Sequence, residues 1–171
     1  MWVIRTARLT LEPVSGRDLA ALIALKADPT VYGQMLGGVR SPWQVIDELT
    51  EDRVFWSRHG VGMFAVREGS TFQGTTGIHN RPDGLGWALR FAVWPGARGR
   101  GLAREAASAV LRFAHDRMGV NRIVAVARED NFGSRMVLGS IGMHHCDSFL
   151  RNGHPMLVYE SQVVAGVFLR A

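Results

Sequence analysis

Lysine is almost missing from this 171-residue chain: Lys26 stands alone, and arginine carries the rest of the basic charge. A nucleotide-binding P-loop is thereby excluded, because it needs a Lys-Ser or Lys-Thr pair at the end of a glycine loop. There is one cysteine, Cys146. That rules out an internal disulfide framework and suits a reducing, cytoplasmic location. No apolar run is long enough to cross a bilayer; the late run Val163 to Leu169 is far too short. The opening MWVIRTARLTLEP has no apolar core after a basic start, so no secretory leader is expected. The nucleophile elbow G-x-S-x-G of serine hydrolases is also absent. Without internal repeats, low-complexity tracts or linkers, the expectation is one domain over residues 1–171.

What is present is ordinary for a globular chain: 47% hydrophobic and 20% charged residues. The formal charge of +5 and pI near 10.6 favour an anionic partner: nucleic acid, a membrane surface or a polyanionic cofactor. The arginines are scattered, with no dense basic run, so neither nucleic acid nor membrane is expected.

The most informative stretch is Arg90 to Met118, RFAVWPGARGRGLAREAASAVLRFAHDRM. Phe91 to Trp94 is an apolar, β-branched run suited to a strand, and Pro95 and Gly96 stop it. After Arg98-Gly99-Arg100-Gly101, apolar residues from Ala103 to Ala114 recur at helical spacing. A strand, a turn of Gly and Arg, and a helix N-terminus together make a place for an anion. The first amides of a helix lack intrahelical partners and carry partial positive charge. Glycine lets a ligand oxygen come close to the backbone. A phosphate or pyrophosphate fits best, with Arg98 and Arg100 as forked donors beside it. The competing reading is a plain glycine-rich connection with solvated arginines. Arg104 occupies the last small-residue position of a dinucleotide fingerprint, which therefore fails.

Elsewhere, strands are expected at Arg8–Val14, Val61–Arg67, Thr71–His79, Leu85–Trp94, Arg122–Ala127, Met143–Arg151 and His154–Gln162. The last two flank Asn152-Gly153, the strongest hairpin signal in the chain. Helices are expected at Asp18–Ala27, at Ser134–Ser140, and from the capping box Ser41-Pro42-Trp43-Gln44 to about Ser57. This order gives an α/β (α+β) fold: a mixed, mostly antiparallel sheet of six to seven strands with helices on both faces. His144, His145, Cys146 and His154 look like metal ligands by composition. Neighbouring strand residues point to opposite faces, so no metal site is expected.

The pattern R-x-x-G-x-A at Arg98, Gly101 and Ala103 resembles the acyl-CoA pyrophosphate loop of the GNAT superfamily of N-acetyltransferases. Asn131-x-x-Ser134-x-x-x-Leu138-x-x-x-Gly142-Met143 resembles its second signature. Thr6-Ala7-Arg8-Leu9-Thr10-Leu11 and Asp28-Pro29 are similar to the start of the RimJ/RimL-like branch. The resemblance runs from Ile4 to Gln162. It implies a sheet splayed at its central strands and acetyl-CoA as cosubstrate. The implied reaction is direct transfer, in a ternary complex, to a primary amine: a protein N-terminus or a small molecule. Homodimers are common in the family.

Residue roles follow from the same resemblance. Phe91, Ala92 and Val93 pair with the pantetheine arm, and a β-bulge frees the Val93 N–H for the thioester oxygen. The amides of Arg98, Gly99, Arg100, Gly101, Leu102 and Ala103 hold the pyrophosphate. Asn131 either bonds the pantetheine or merely caps a helix. Ser134 hydrogen-bonds the leaving sulfur, because Leu138 stands where many relatives carry a tyrosine. No glutamate base lies near Ala88 or Leu89, which leaves His79, Asp83 and Glu129. A missing strong base favours an α-amine of pKa about 7.7–8.0 over a lysine near 10.4. Asp47, Glu48, Glu51 and Asp52 form either a solvated helix face or a field for a cationic acceptor. Trp43, Trp56, Tyr32 and Met35 are candidates to wall its cleft. A non-catalytic, regulatory CoA-binding module is the alternative.

Overall fold

A computed structural model describes residues 2–163, so most of the late apolar run lies outside the described residues. A single sheet of eight strands organises them, in the order β1-β2-β3-β4-β5-β6-β8-β7. Strands β2 (Thr10–Pro13), β3 (Met63–Glu68), β4 (Thr71–Asn80) and β5 (Trp87–Val93) form an antiparallel meander. β6 (Arg122–Arg128) lies parallel to β5. β8 (His154–Gln162) pairs antiparallel with β6, and β7 (His144–Arg151) closes that side. The eighth strand corrects the expected six to seven. It is β1 (Ile4–Arg5), two residues paired as Ile4↔Leu11 and Arg5↔Thr10, too short for any alternation to show in sequence.

Local chemistry sets the boundaries. Asn152 (φ 50°) and Gly153 (φ 77°) make the left-handed β7–β8 turn that their sequence predicts. Helix α3 (Pro42–His59) opens on a reciprocal cap: the Ser41 hydroxyl accepts from the Gln44 N–H at 3.3 Å, and the Gln44 side chain accepts from the Ser41 N–H at 2.8 Å. It runs two residues beyond the expected end.

The two faces of the sheet carry different helices. On one, α1 (Leu19–Ala27), α2 (Pro29–Tyr32) and α3 cover Met63, Ala65 and Ala92. On the other, α4 (Leu102–Arg112) and α5 (Phe132–Ser140) enclose the main core of Phe64, Ile78, Leu102, Ile123 and Leu138. These side chains are fully buried; truncating one such Leu to Ala costs about 2–5 kcal/mol. The two faces meet where the sheet opens. β5 and β6 share a single register pair, Ala88↔Val124, and beyond it the strands part. This is the splay the resemblance implied.

Candidate active site

The gap between β5 and β6 widens into a cavity of about 760 Å³, bounded by Leu89 to Val93, Ala125 to Arg128 and the N-terminal ends of α4 and α5. The expected β-bulge in β5 is not there: its ladder with β4 runs from Gly74↔Val93 to Asn80↔Trp87 without a shift. Bulges occur instead at Val66/Arg67 and His145/Asp147. Val93 still turns its amide to the cleft, for a simpler reason. The Trp94 N–H donates to the Gln73 C=O of the neighbouring chain at 3.0 Å. Backbone groups alternate sides along a strand, so those of Phe91 and Val93 face the edge that β6 has left.

Gly99 (φ 74°) and Gly101 (φ 76°) shape the loop before α4. A Cβ on Gly99 would touch nothing within 4 Å, so the backbone conformation, not space, calls for glycine. The first helical bond is Glu105 N–H to Gly101 C=O, at 3.0 Å. The amides of Leu102, Ala103 and Arg104 therefore have no helical partner. The N-terminal strand region straps this loop down. Arg8 donates to the Arg100 carbonyl at 2.7 Å, and Glu105 accepts from the Thr6 hydroxyl at 2.5 Å and from Arg8 Nε at 2.7 Å. Burial pushes the Glu105 carboxyl up, but the Thr6 and Arg8 hydrogen bonds outweigh it and hold it below its ordinary value.

The two loop arginines part company. The Arg98 side chain borders the cavity and donates to the Thr30 carbonyl at 2.8 Å, but its backbone N–H is taken by the Pro95 carbonyl at 3.1 Å, which corrects its expected place among the pyrophosphate amides. Arg100 turns away from it and grips Glu68 at 2.6 and 3.0 Å, which corrects its expected place beside the phosphates. Arg104, which the sequence shows only as the residue that breaks the dinucleotide fingerprint, borders the cavity; its position in the first turn of α4 was the signal that could have found it.

Across the gap, Asn131 caps α5 by accepting the Ser134 N–H at 3.2 Å. Its amide nitrogen remains for a ligand, so capping and binding are compatible. Asn131 and Ser134 both face the cavity, and Leu138, almost wholly buried in the core, also borders it with an apolar side chain that has no proton to give.

The far end of the cavity is bordered by Met35, His79, Arg81, Arg90, Arg128 and Arg151. The other proposed wall residues do not contribute. Trp43 is 77% exposed, Tyr32 is buried, and Trp56 packs on Phe64 while donating to the Met63 carbonyl. None of the four acidic residues of the α3 face borders the cavity: Glu48 is spent on Lys26 at 2.5 Å and on Arg40, and Asp47 and Glu51 are exposed. Burial, then Arg90 and Arg81, pushes the His79 imidazole down to about 3. Asp83 is held below the usual carboxylate range by its hydrogen bond from Arg81, and Glu129 does not border the cavity. His144 pairs with Glu160 at 3.3 Å, and Cys146 sits in the β7 bulge. Among the described residues no three such groups converge on a metal position, and no helix is long and apolar enough to cross a membrane.

Residues 8–144 match the family model of the acetyltransferase (GNAT) domain. The chain belongs to the GNAT acetyltransferase family. It is an acyl-CoA-dependent N-acetyltransferase, and acetyl-CoA is its cosubstrate. Similar solved structures include an acetyltransferase from Agrobacterium tumefaciens str. C58, with 27% identity, TM-score 0.81 and 95% of each chain covered. A GNAT-family acetyltransferase from Bordetella pertussis has 24% identity and TM-score 0.82, over 94% of this chain and 99% of that one. RimL, the ribosomal L7/L12 α-N-protein acetyltransferase, in complex with coenzyme A, has 17% identity and TM-score 0.81, over 95% and 98%.

The residues present fit this cosubstrate. Unpartnered amides at Leu102 to Arg104 suit a pyrophosphate. The strand edge at Phe91 and Val93 suits the amides of a pantetheine arm, paired as an added strand.

Proposed function

We propose that this GNAT domain transfers an acetyl group directly to a primary amine, either a protein N-terminal α-amine or a small-molecule amine, in a ternary complex. The fold likeness to RimL supports placing it in the RimJ/RimL-like branch. The observation that carries the reading is the pairing of two walls: a cleft-facing Val93 amide on β5, and Asn131 and Ser134 at the head of α5.

Acetyl-CoA supplies an activated acyl group as a thioester. The amides of Leu102, Ala103 and Arg104, with Arg98, hold its diphosphate. The edge of Phe91 and Val93, and Asn131, orient the pantetheine arm. The Val93 N–H donates to the thioester oxygen as that oxygen gains charge; a donor of this kind contributes about 3 kcal/mol to transition-state stabilisation. As the new C–N bond forms and the C–S bond breaks, the Ser134 hydroxyl donates to the departing sulfur. A thiolate with pKa about 8.5 then takes its proton from solvent or from the amine.

A pKa of about 3 leaves the His79 imidazole neutral but far too weak to take a proton from an ammonium of pKa about 8. The acceptor therefore enters as the free amine, its proton already lost to solvent: an α-amine is roughly a tenth neutral at pH 7.

Release of free thiol from acetyl-CoA, measured against a panel of peptides and small amines, tests the reading. Amine-dependent release is expected. A melting shift with acetyl-CoA but no release with any amine would mark a silent binding module instead.

A further inference from the structure

Arg90 is the side chain in the cavity that the reaction above leaves without a task. In the β4–β5 ladder it lies opposite Gly77, with the pairs His79↔Ala88 and Thr75↔Ala92 to either side. Side chains two apart share a face, and Ala92 packs on Leu25, Val31 and Tyr32. Arg90 and His79 therefore project on the α1–α2 face, while Leu89 and Val93 pack with Leu102 on the α4 face. The guanidinium is across the sheet from the loop that suits the diphosphate.

It is half-buried and borders the cavity. Among the described residues it has no carboxylate within ion-pair distance. Asp52 on α3 lies near enough to feel its charge but makes no ion pair, and burial holds that carboxyl up at about 6. The surroundings add positive charge. Arg81, Arg128 and Arg151 border the same end, and only Asp83 and Asp130 answer them. Four guanidiniums thus meet three carboxylates, and the third, Asp52, stands outside ion-pair distance of Arg90. The depressed basicity of His79, set by burial and then by Arg90 and Arg81, reports the same positive field.

An unpaired, partly desolvated guanidinium carries a cost that an incoming anion removes. Its planar fork matches a carboxylate in two-point geometry. Resting on the acetyl-transfer reading, we infer that the acceptor is a carboxylate-bearing primary amine whose acidic group docks on Arg90. An acceptor with additional positive charge is repelled from this end.

Matched acceptors of equal amine basicity test this. One pair is glutamate α-amide and glutamine α-amide; the other is two tetrapeptides that differ only in beginning Ser-Glu or Ser-Gln. Thiol release should favour the carboxylate member by about tenfold or more in kcat/KM. The pair with the larger absolute kcat/KM tells a free metabolite from a protein N-terminus. In Arg90→Gln the ratio should fall to within about twofold, with Arg90→Lys intermediate and the acetyl-CoA melting shift retained. Equal rates within each pair, a preference for the amides, or a ratio unchanged in Arg90→Gln overturns the inference and leaves acetyl transfer standing. A measurement free of turnover separates the two ideas. With CoA saturating, N-acetylglutamate α-amide should raise the melting temperature of the wild type and not of Arg90→Gln, while the glutamine analogue raises neither. That shift without amine-dependent thiol release would overturn acetyl transfer and keep the anion site; its absence overturns the anion site.

Discussion

The two ends of the cleft are built from different chemistry. At the α4 end the binding groups are backbone: three helix amides and the edge of β5. Many side chains there are engaged with one another, Arg8 with Glu105 and Arg100 with Glu68. At the α1–α2 end the groups facing the cavity are side chains, with Met35, His79 and four arginines. Amides do not change when residues do, so a backbone site suits the cosubstrate that a whole family shares. Side chains are free to differ, and they decide the acceptor. The contrast predicts that changes at one end act on acetyl-CoA and changes at the other act on the amine.

The largest effect is expected from Gly101→Val, which forces a β-branched residue to a φ of 76° and misdirects the amides that follow. Strain of about 1–3 kcal/mol corresponds to about 5- to 150-fold weaker acetyl-CoA binding. Calorimetry showing unchanged affinity would break the backbone account of that end.

Next comes Ser134→Ala. A hydrogen bond made only as the sulfur departs is worth about 1 kcal/mol, so kcat should fall about fivefold to tenfold with the acetyl-CoA dissociation constant nearly constant. Parallel losses in both would make Ser134 a ground-state contact and blur the division.

A smaller effect concerns pH. His79 has a folded-state pKa of about 3, below its unfolded value of 6.5. Between these values the unfolded chain binds a proton that the folded one refuses, so stability falls as pH drops through this window. Asp52, raised from 3.8 to about 6, works the opposite way over part of it: its contribution is lost as pH rises. His79→Gln should therefore flatten the acid side of a melting-temperature profile. An unaltered acid limb would show that His79 is not desolvated as the site requires. The smallest change is expected for Arg100→Gln, whose ion pair with Glu68 is exposed. Acetyl-CoA affinity should shift by less than about twofold, and a large loss would return Arg100 to the phosphate site.

Most of the cofactor end was legible in the sequence because it is local. Gly99, Gly101 and the helical pattern after them lie within one short stretch, as do Asn131 and Ser134. The misreadings came from long-range contacts. Nothing near Arg100 in sequence announces Glu68, and nothing near Glu48 announces Lys26 and Arg40. The bulge expected in β5 was a borrowed explanation for an amide that the parting of β5 and β6 already frees. Arg90 read as one more scattered arginine, since its lack of a carboxylate partner shows only once the strands are paired.

The sequence by itself determined the order of elements, the left-handed glycine loop, the helix caps and the family, all of which depend on neighbours a few residues apart. Only the tertiary structure decided which charges neutralise one another and which face the cavity. An ion pair forms between groups close in space, and the sheet brings together residues from β4, β5, β6 and β7 that the chain keeps far apart.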